Sequence, residues 1–513
     1  MQYKVYGVIE IGGYTASLNV YEISRKSGIR ILDRMSYPIE LGRDSYASGK
    51  ISQETANVLC TIIREFAQSM KGYQVDAYIA VADSAVREAI NAQLILAQVR
   101  QKTGVEVQIY SNSEMRFISY KALASRQDVF EDIIQKGTAI VDIGGGSIQI
   151  SLFDKDNLIM TQNLRFGNLR VRERLAALRR ESLDYQQMVQ ELIEADITSF
   201  CKMHLKDRKI TNVVLLGDYF SLFVAKNQEA RLENRLSAQE FAAWCDHIVT
   251  LPLHEQADRL GMDMEYASLL VPTAVLYRTI MEAFEAENVW IPGVEMADGF
   301  AYEYGEKNRL IKPTHNFEND ILMAARNIGK RYAISKSHVT YMSTVAMTIF
   351  DSMKRIHGLG ARERLLLEIA VLLHDCGKYI SMSQVGECSF NIIMATEIIG
   401  LSHREREIIA LVVRYNTQKF GYYQEISRLT GLNEDDYVLV AKLTAILRVA
   451  NSLDRAHKQK VEGMKVTLQD QKLIIRLETH KDLTLEKGLL GEKLDFFEEV
   501  FNIRPEIRTK KLV

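Results

Sequence analysis

A chain of 513 residues is too long for one hydrophobic core and points to three or four domains. With 47% apolar and 25% charged residues it has an ordinary globular composition, and a formal charge of −2 excludes a global positive field for polyanions; any such attraction must be local. The five cysteines (Cys60, Cys201, Cys245, Cys376 and Cys388) include no CxxC pair, which argues against a disulfide framework and for a reducing compartment.

The opening MQYKVYGVIEIGG enters a strand pattern directly, without an apolar signal core. No apolar run reaches the roughly 18 residues of a membrane span. A cytoplasmic location without a membrane partner is therefore expected. Residues 8–22 (VIEIGGYTASLNVYE) return as 140–154 (IVDIGGGSIQISLFD), at an offset of 132 (142 − 10) when Glu10 is set on Asp142. Each copy reads strand, glycine-rich turn, strand, which is a β-hairpin. A repeat spaced by a whole domain suggests two similar domains facing each other.

Between the copies, helical periodicity covers 52–71, a strand 76–82, a helix 84–99, a strand 105–110 and a helix 113–124. A further strand is expected at 213–217, so the first half reads as α/β. The arginines Arg165, Arg170, Arg172, Arg174, Arg179 and Arg180 read as a solvated helix face interrupted by Glu173 and Glu181, with a polyanion path as the alternative. From about Lys312 long helical patterns dominate. LLLEIAVLLHDCGK reads as a buried helix with Gly377 near its end, and the chain closes as strand, strand, helix from about Lys460.

The paired turns carry a chemistry. Glycine lets the backbone approach a ligand closely, and successive N–H groups in such a turn make a concave anion site. Gly12, Gly13, Gly144, Gly145 and Gly146 supply the turns, and the Thr15 and Ser147 hydroxyls can donate to phosphate oxygens. Glu10 and Asp142 precede the turns, where a hard cation such as Mg²⁺ can be held. The plainer alternative is a tight hairpin with a capping carboxylate.

The paired loops resemble the phosphate-binding signatures of the actin/Hsp70/sugar-kinase superfamily. AVADSAVREAIN (80–91) resembles the ATSAxREAxN stretch of the exopolyphosphatase/guanosine pentaphosphate phosphatase family, and SNSEMR (111–116) its GxEEAR. GGGSIQI (144–150), RFGNLRV (165–171), VEMADGF (294–300) and HREREIIALVVRY (403–415) also match that family. The resemblance implies two actin-like (ribonuclease H-like) α/β domains around a cleft, at 1–130 and 131–310. An all-α HD-like domain at 311–459 and a small α/β piece at 460–513 would follow. It places Glu114 as the general base on the attacking water, with Arg87 and a divalent metal at Asp142 stabilising the transferred phosphoryl. Read without the resemblance, Glu114 is a first-turn helix carboxylate, and Arg87 is an exposed helical arginine paired with Glu88 or a nearby acid. HDCGK (374–378) resembles the HDxGK signature of HD-type phosphohydrolases, implying a second divalent metal at His338, His374, Asp375 and Asp454.

Several positions depart from the family pattern. Glu10 replaces Asp, Gly13-Tyr14 replaces Ser/Thr-Asn, Asp83 replaces Thr, Gln149 replaces Glu, and Asn451 stands at an HD-type Asp. LLGDYFSLF (215–223) keeps one glycine of a pair. The expected activity is release of terminal phosphate from inorganic polyphosphate or guanosine polyphosphates by a homodimer. The alternatives are a catalytically weakened binder of the same polyanions, an HD-domain phosphohydrolase, and an ATP-dependent kinase.

Overall fold

The computed structural model describes residues 3–125, 127–155, 157–176, 185–206, 208–217, 235–313, 315–469 and 472–511. The chain divides into two compact units, Met1–Asn316 and Phe317–Val513.

The first unit holds two sheets of the same design. Strands β1 (Tyr3–Ile11), β2 (Thr15–Ser24), β3 (Gly28–Pro38), β4 (Ala77–Ala82) and β5 (Gln108–Ile109) are ordered β3-β2-β1-β4-β5. Strands β6 (Thr138–Ile143), β7 (Ile148–Asp154), β8 (Asn157–Leu164), β9 (Asn212–Leu216), β10 (Arg235–Ser237) and β11 (Asn288–Trp290) are ordered β10-β11-β9-β6-β7-β8. In both sheets the first strand is central. It pairs antiparallel with its hairpin partner and parallel with the strand that follows a helical crossover. The offset of 132 is therefore a structural repeat: Glu10 faces Ser17 across its hairpin as Asp142 faces Gln149. Because β1 and β6 are covered on both faces, their residues run apolar with little alternation, and Val8, Ile9, Val141 and Ile143 are buried.

The helices of the first lobe include α1 (Leu41–Ser48), α2 (Gln53–Gly72), α3 (Ser84–Arg87), α4 (Ala92–Thr103) and α5 (Asn112–Ala124). The single helix expected over 84–99 is two. Asn91 accepts a hydrogen bond from the Ile51 amide at 3.0 Å and donates to its carbonyl at 2.8 Å, pinning a break between α3 and α4. The strand expected over 105–110 shortens to β5, two residues long. After the second sheet the helix Met296–Lys307 returns to the first, where Ala297, Phe300 and Ala301 pack on Val8, Tyr21, Val81 and Ile118.

The second unit is mostly helical, from Phe317–Arg331 to Glu434–Leu453, and ends in a sheet of β12 (Gly463–Gln469), β13 (Lys472–Thr479) and β14 (Pro505–Lys511). The helix expected to run through HDCGK stops at Leu373, and Cys376–Tyr379 forms a 3₁₀ turn. A close approach ends it: the Gly377 amide donates to Ser389 Oγ at 2.8 Å, and a side chain at 377 would collide with the Val385 carbonyl. The final strand β14 had no counterpart in the sequence reading.

Candidate functional site

The two glycine turns close alike. Gly12 N–H donates to the Thr15 carbonyl at 2.8 Å, and Gly144 N–H to the Ser147 carbonyl at 3.1 Å. Both turns line one cleft of about 650 Å³, together with Glu10, Asp142, Arg87, Asp83 and Gln149. The structure thus brings Gly12, Gly13, Thr15, Arg87, Gly144, Gly145, Gly146, Ser147, Glu10 and Asp142 to a single site.

Glu114 stands apart from this set. It is the N3 residue of α5, and its Oε2 accepts from the Ser111 amide at 2.9 Å and the Ser111 hydroxyl at 2.7 Å, closing a capping box. Asn112 and Met115 line the cleft, whereas Glu114 is not among its lining residues. Of the two glutamates in the GxEEAR stretch, this chain keeps the one at 114 and has the buried Ser113 at the other. The Ser-x-x-Glu spacing at 111–114 was a capping signal open to a reading from sequence.

Three of the departures from the family pattern, Asp83, Tyr14 and Gln149, make internal contacts. Asp83 accepts from Gly13 N–H at 3.1 Å through Oδ2, and from Ala85 N–H at 2.8 Å through Oδ1 as the N-cap of α3. A carboxylate of the protein thereby engages one N–H of the first glycine turn. Tyr14 does not fill the turn. Its ring stacks on Tyr266 with centroids 5.1 Å apart, its hydroxyl donates to Asp263 at 2.8 Å, and burial followed by that hydrogen bond raises its pKa. Gln149 accepts from Arg116 Nε at 3.0 Å. Gly146 lies against Ser84 and Tyr46, so a side chain there would collide with both hydroxyls.

Arg87 does not pair with Glu88. It donates to the Tyr110 carbonyl at 2.6 Å and to Asn112 Oδ1, both neutral acceptors, so these bonds leave its full charge facing the cleft. Glu88 instead binds Arg170 at 2.7 Å, and Arg170 also donates to the Gly146 carbonyl at 2.8 Å and lies over the Tyr46 ring. The solvated-helix-face reading of the arginine run holds for Arg174, exposed on the helix Asn168–Leu175, and fails for Arg170 and Arg172; Arg165, 70% exposed, precedes that helix. Arg172 is buried because it bonds Glu173, Glu265 and Ser268. Arg179, Arg180 and residues 218–223 lie outside the described residues.

Glu10 and Asp142 offer a donor set that fits a hard divalent cation. Both are partly buried carboxylates near the end of a central strand, beside a glycine turn that lines the same cleft.

In the second unit His338, His374 and Asp375 come together, with ligand atoms within 4.8 Å of one another. Asp454 lies behind His338, accepting from its Nδ1 at 2.8 Å. Asn451 sits one helical turn before Asp454. The sequence reading missed His457, whose ring stacks on His338 at 3.6 Å.

Residues 19–307 match the Ppx/GppA phosphatase family, and residues 322–496 match Ppx/GppA phosphatase, domain III. The chain belongs to the Ppx/GppA phosphatase family. A guanosine-5'-triphosphate,3'-diphosphate pyrophosphatase of Photobacterium profundum is 20% identical over 493 residues, covering 92% of this chain and 91% of that one. Exopolyphosphatase 1 of Mycobacterium tuberculosis is 30% identical over 145 residues, covering 28% of this chain and 41% of that protein. The crystal structure of an exopolyphosphatase from Cytophaga hutchinsonii matches with a TM-score of 0.51 at 17% identity, over 60% of this chain and 99% of that one. An exopolyphosphatase-like protein of known structure matches with a TM-score of 0.50 at 17% identity, over 60% of this chain and 100% of that one. These likenesses establish the actin-like α/β fold of the paired sheets. Membership in the Ppx/GppA family supports a phosphohydrolase function.

Proposed function

We propose that the cleft binds the phosphate end of a linear polyanion, inorganic polyphosphate or a guanosine polyphosphate, and hydrolyses its terminal phosphoanhydride. One observation carries this reading: two glycine turns, two hydroxyl residues and Arg87 line one cleft with the carboxylates Glu10 and Asp142. Loop N–H groups and the Thr15 and Ser147 hydroxyls bind the phosphate oxygens, and Arg87 stabilises charge that grows on them in the transition state. Water forms a new P–O bond, the anhydride P–O bond breaks, and the proton of the water passes to a carboxylate. Orthophosphate leaves and the chain is one unit shorter. A divalent cation held by Glu10 and Asp142 neutralises anhydride oxygens when bound.

Glu114 serves as that base only by leaving Ser111, at a cost of about 1 kcal/mol for a lost helix cap. A second reading follows from the same capping box and from Asp83: binding of the polyanion with little turnover. Phosphate release from long-chain polyphosphate with Mg²⁺, run beside equilibrium binding, separates the two. Hydrolysis that falls on the order of 10²-fold or more in Glu114→Gln, with binding unchanged, supports the first. Tight binding without release, unchanged by that substitution, supports the second. Absence of both rejects the assignment of the cleft.

A further inference from the structure

The second glycine turn is clamped from behind by one short stretch of chain. The Asn168 amide donates to the Gly144 carbonyl at 3.1 Å, and the Arg170 amide to the Gly145 carbonyl at 2.9 Å. Arg170 Nε donates to the Gly146 carbonyl at 2.8 Å. Three successive carbonyls thus point toward the start of the helix Asn168–Leu175. In a trans peptide the N–H of the next residue points opposite to the carbonyl. The amides of Gly145, Gly146 and Ser147 are therefore turned away from that helix. All three residues line the cleft, and among the described residues none of these amides has an acceptor. In the first turn the carbonyls of Gly13 and Tyr14 accept instead from backbone amides, those of Gly42 and Ile39, each at 2.7 Å.

Arg170 is built into the junction of the two lobes. Its side chain is 13% exposed, Nη2 lies 2.7 Å from Glu88 Oε2, and the guanidinium carbon stands 4.3 Å from the centre of the Tyr46 ring. Tyr46 is on α1 and Glu88 ends α3, both in the first lobe, whereas Gly146 belongs to the second. The Tyr46 hydroxyl meets Ser84 Oγ at 2.8 Å, and a side chain on Gly146 would collide with both, so the turn is packed from the front as well. A guanidinium suits this place because its N–H groups form a rigid planar fork: holding one on Glu88 fixes the direction of the other toward Gly146. Arg170 and Glu88 are not among the residues lining the cleft, and their charges neutralise each other.

We propose that Arg170 is a positioning residue for the phosphohydrolase site. It fixes the peptide plane between Gly146 and Ser147 and so aims the Ser147 amide at the phosphoryl group, while Glu88 sets the arginine from the opposite lobe. This rests on the reading of the cleft given above. Rotation of that peptide would swing the N–H away and present a carbonyl oxygen to the phosphate. The fork opposes the rotation, so the donor is oriented before charge develops, which is the condition for such a donor to be effective.

The test uses the full chain and long-chain polyphosphate with Mg²⁺. Arg170→Met keeps the stem over Tyr46 and removes the fork. It should lower kcat on the order of 10²-fold and raise KM by far less, while melting close to the wild type. Arg170→Lys should recover part of the loss, since its ammonium lacks the fork but still reaches one acceptor. Arg174→Met, exposed on the same helix, should match the wild type in both constants. Wild-type kcat in Arg170→Met overturns the proposal and leaves the reading of the cleft in place; so does an equal fall in Arg170→Met and Arg170→Lys. If the wild type binds polyphosphate without turnover, affinity carries the test: it should fall about 10-fold in Arg170→Met, and unchanged affinity overturns the proposal. A wild type that neither binds nor hydrolyses polyphosphate removes the reading of the cleft and this proposal with it. If Arg170→Met does not fold, Arg170→Lys and Glu88→Gln decide: each should lower kcat more than it raises KM, and wild-type constants in both overturn the proposal.

Discussion

Replacing Asp83 by Thr should open the first phosphate loop. The Asp83 carboxylate engages Gly13 N–H at 3.1 Å while lining the cleft, so a phosphate oxygen seeking that N–H meets a negative charge. Two unit charges about 4 Å apart repel by about 4 kcal/mol at an effective dielectric near 20, and by about 1 kcal/mol in bulk water. The cleft is open to solvent, so the lower part of that range applies, about 1–2 kcal/mol or on the order of 10-fold in affinity. Threonine remains a helix N-cap, so the loss of the bond to Ala85 N–H should cost only tenths of a kcal/mol in stability. Titration of labelled polyphosphate at fixed ionic strength reads the affinity, and thermal melting reads the fold. Unchanged or weaker binding by a variant that melts like the wild type would refute the role of Asp83 as an internal anion.

Other perturbations test the packing around the site. Tyr14→Phe removes the hydroxyl bond to Asp263, and urea unfolding should show a loss of about 1–2 kcal/mol. Lys121, with a side chain 8% exposed, stands 3.2 Å from Glu303 and 3.6 Å from Glu306; Lys121→Met should cost about 3–5 kcal/mol, and Lys121→Met with Glu303→Leu should recover part of it in the same measurement. Burial pushes the Glu405 carboxyl up, but the Arg362 pair at 2.6 Å and the Ser402 amide outweigh it and hold the carboxyl below its usual range. The sign is that of a depressed acid: the pair stabilises the fold above roughly pH 4.3 and loses that contribution as pH falls through the lower folded value. The melting difference between wild type and Arg362→Met should therefore be constant near neutrality and shrink below about pH 4.

The amino-acid order alone determined the duplicated hairpins, since strand alternation, turn glycines and the leading acids are local signals that survive any arrangement of the rest. The motifs around Glu10, Asp142 and Arg87 also grouped them in one site, and the three line one cleft. Only the tertiary structure decided what each departing residue does. Asp83 caps α3 and meets Gly13, which is 70 residues away in sequence; Tyr14 meets Asp263, 249 residues away; Arg116 meets Gln149, 33 residues away. Read singly, these substitutions look like lost ligands for phosphate or metal, whereas in three dimensions each makes a new contact. The same limit applied to Glu114, where the side-chain spacing permits both a cap and a base and the folded helix start selects the cap. In the helical unit, spacing brought His374 and Asp375 together, but the inner or outer place of Asp454 depended on which imidazole nitrogen it faces, and ring orientation is set by packing rather than by sequence.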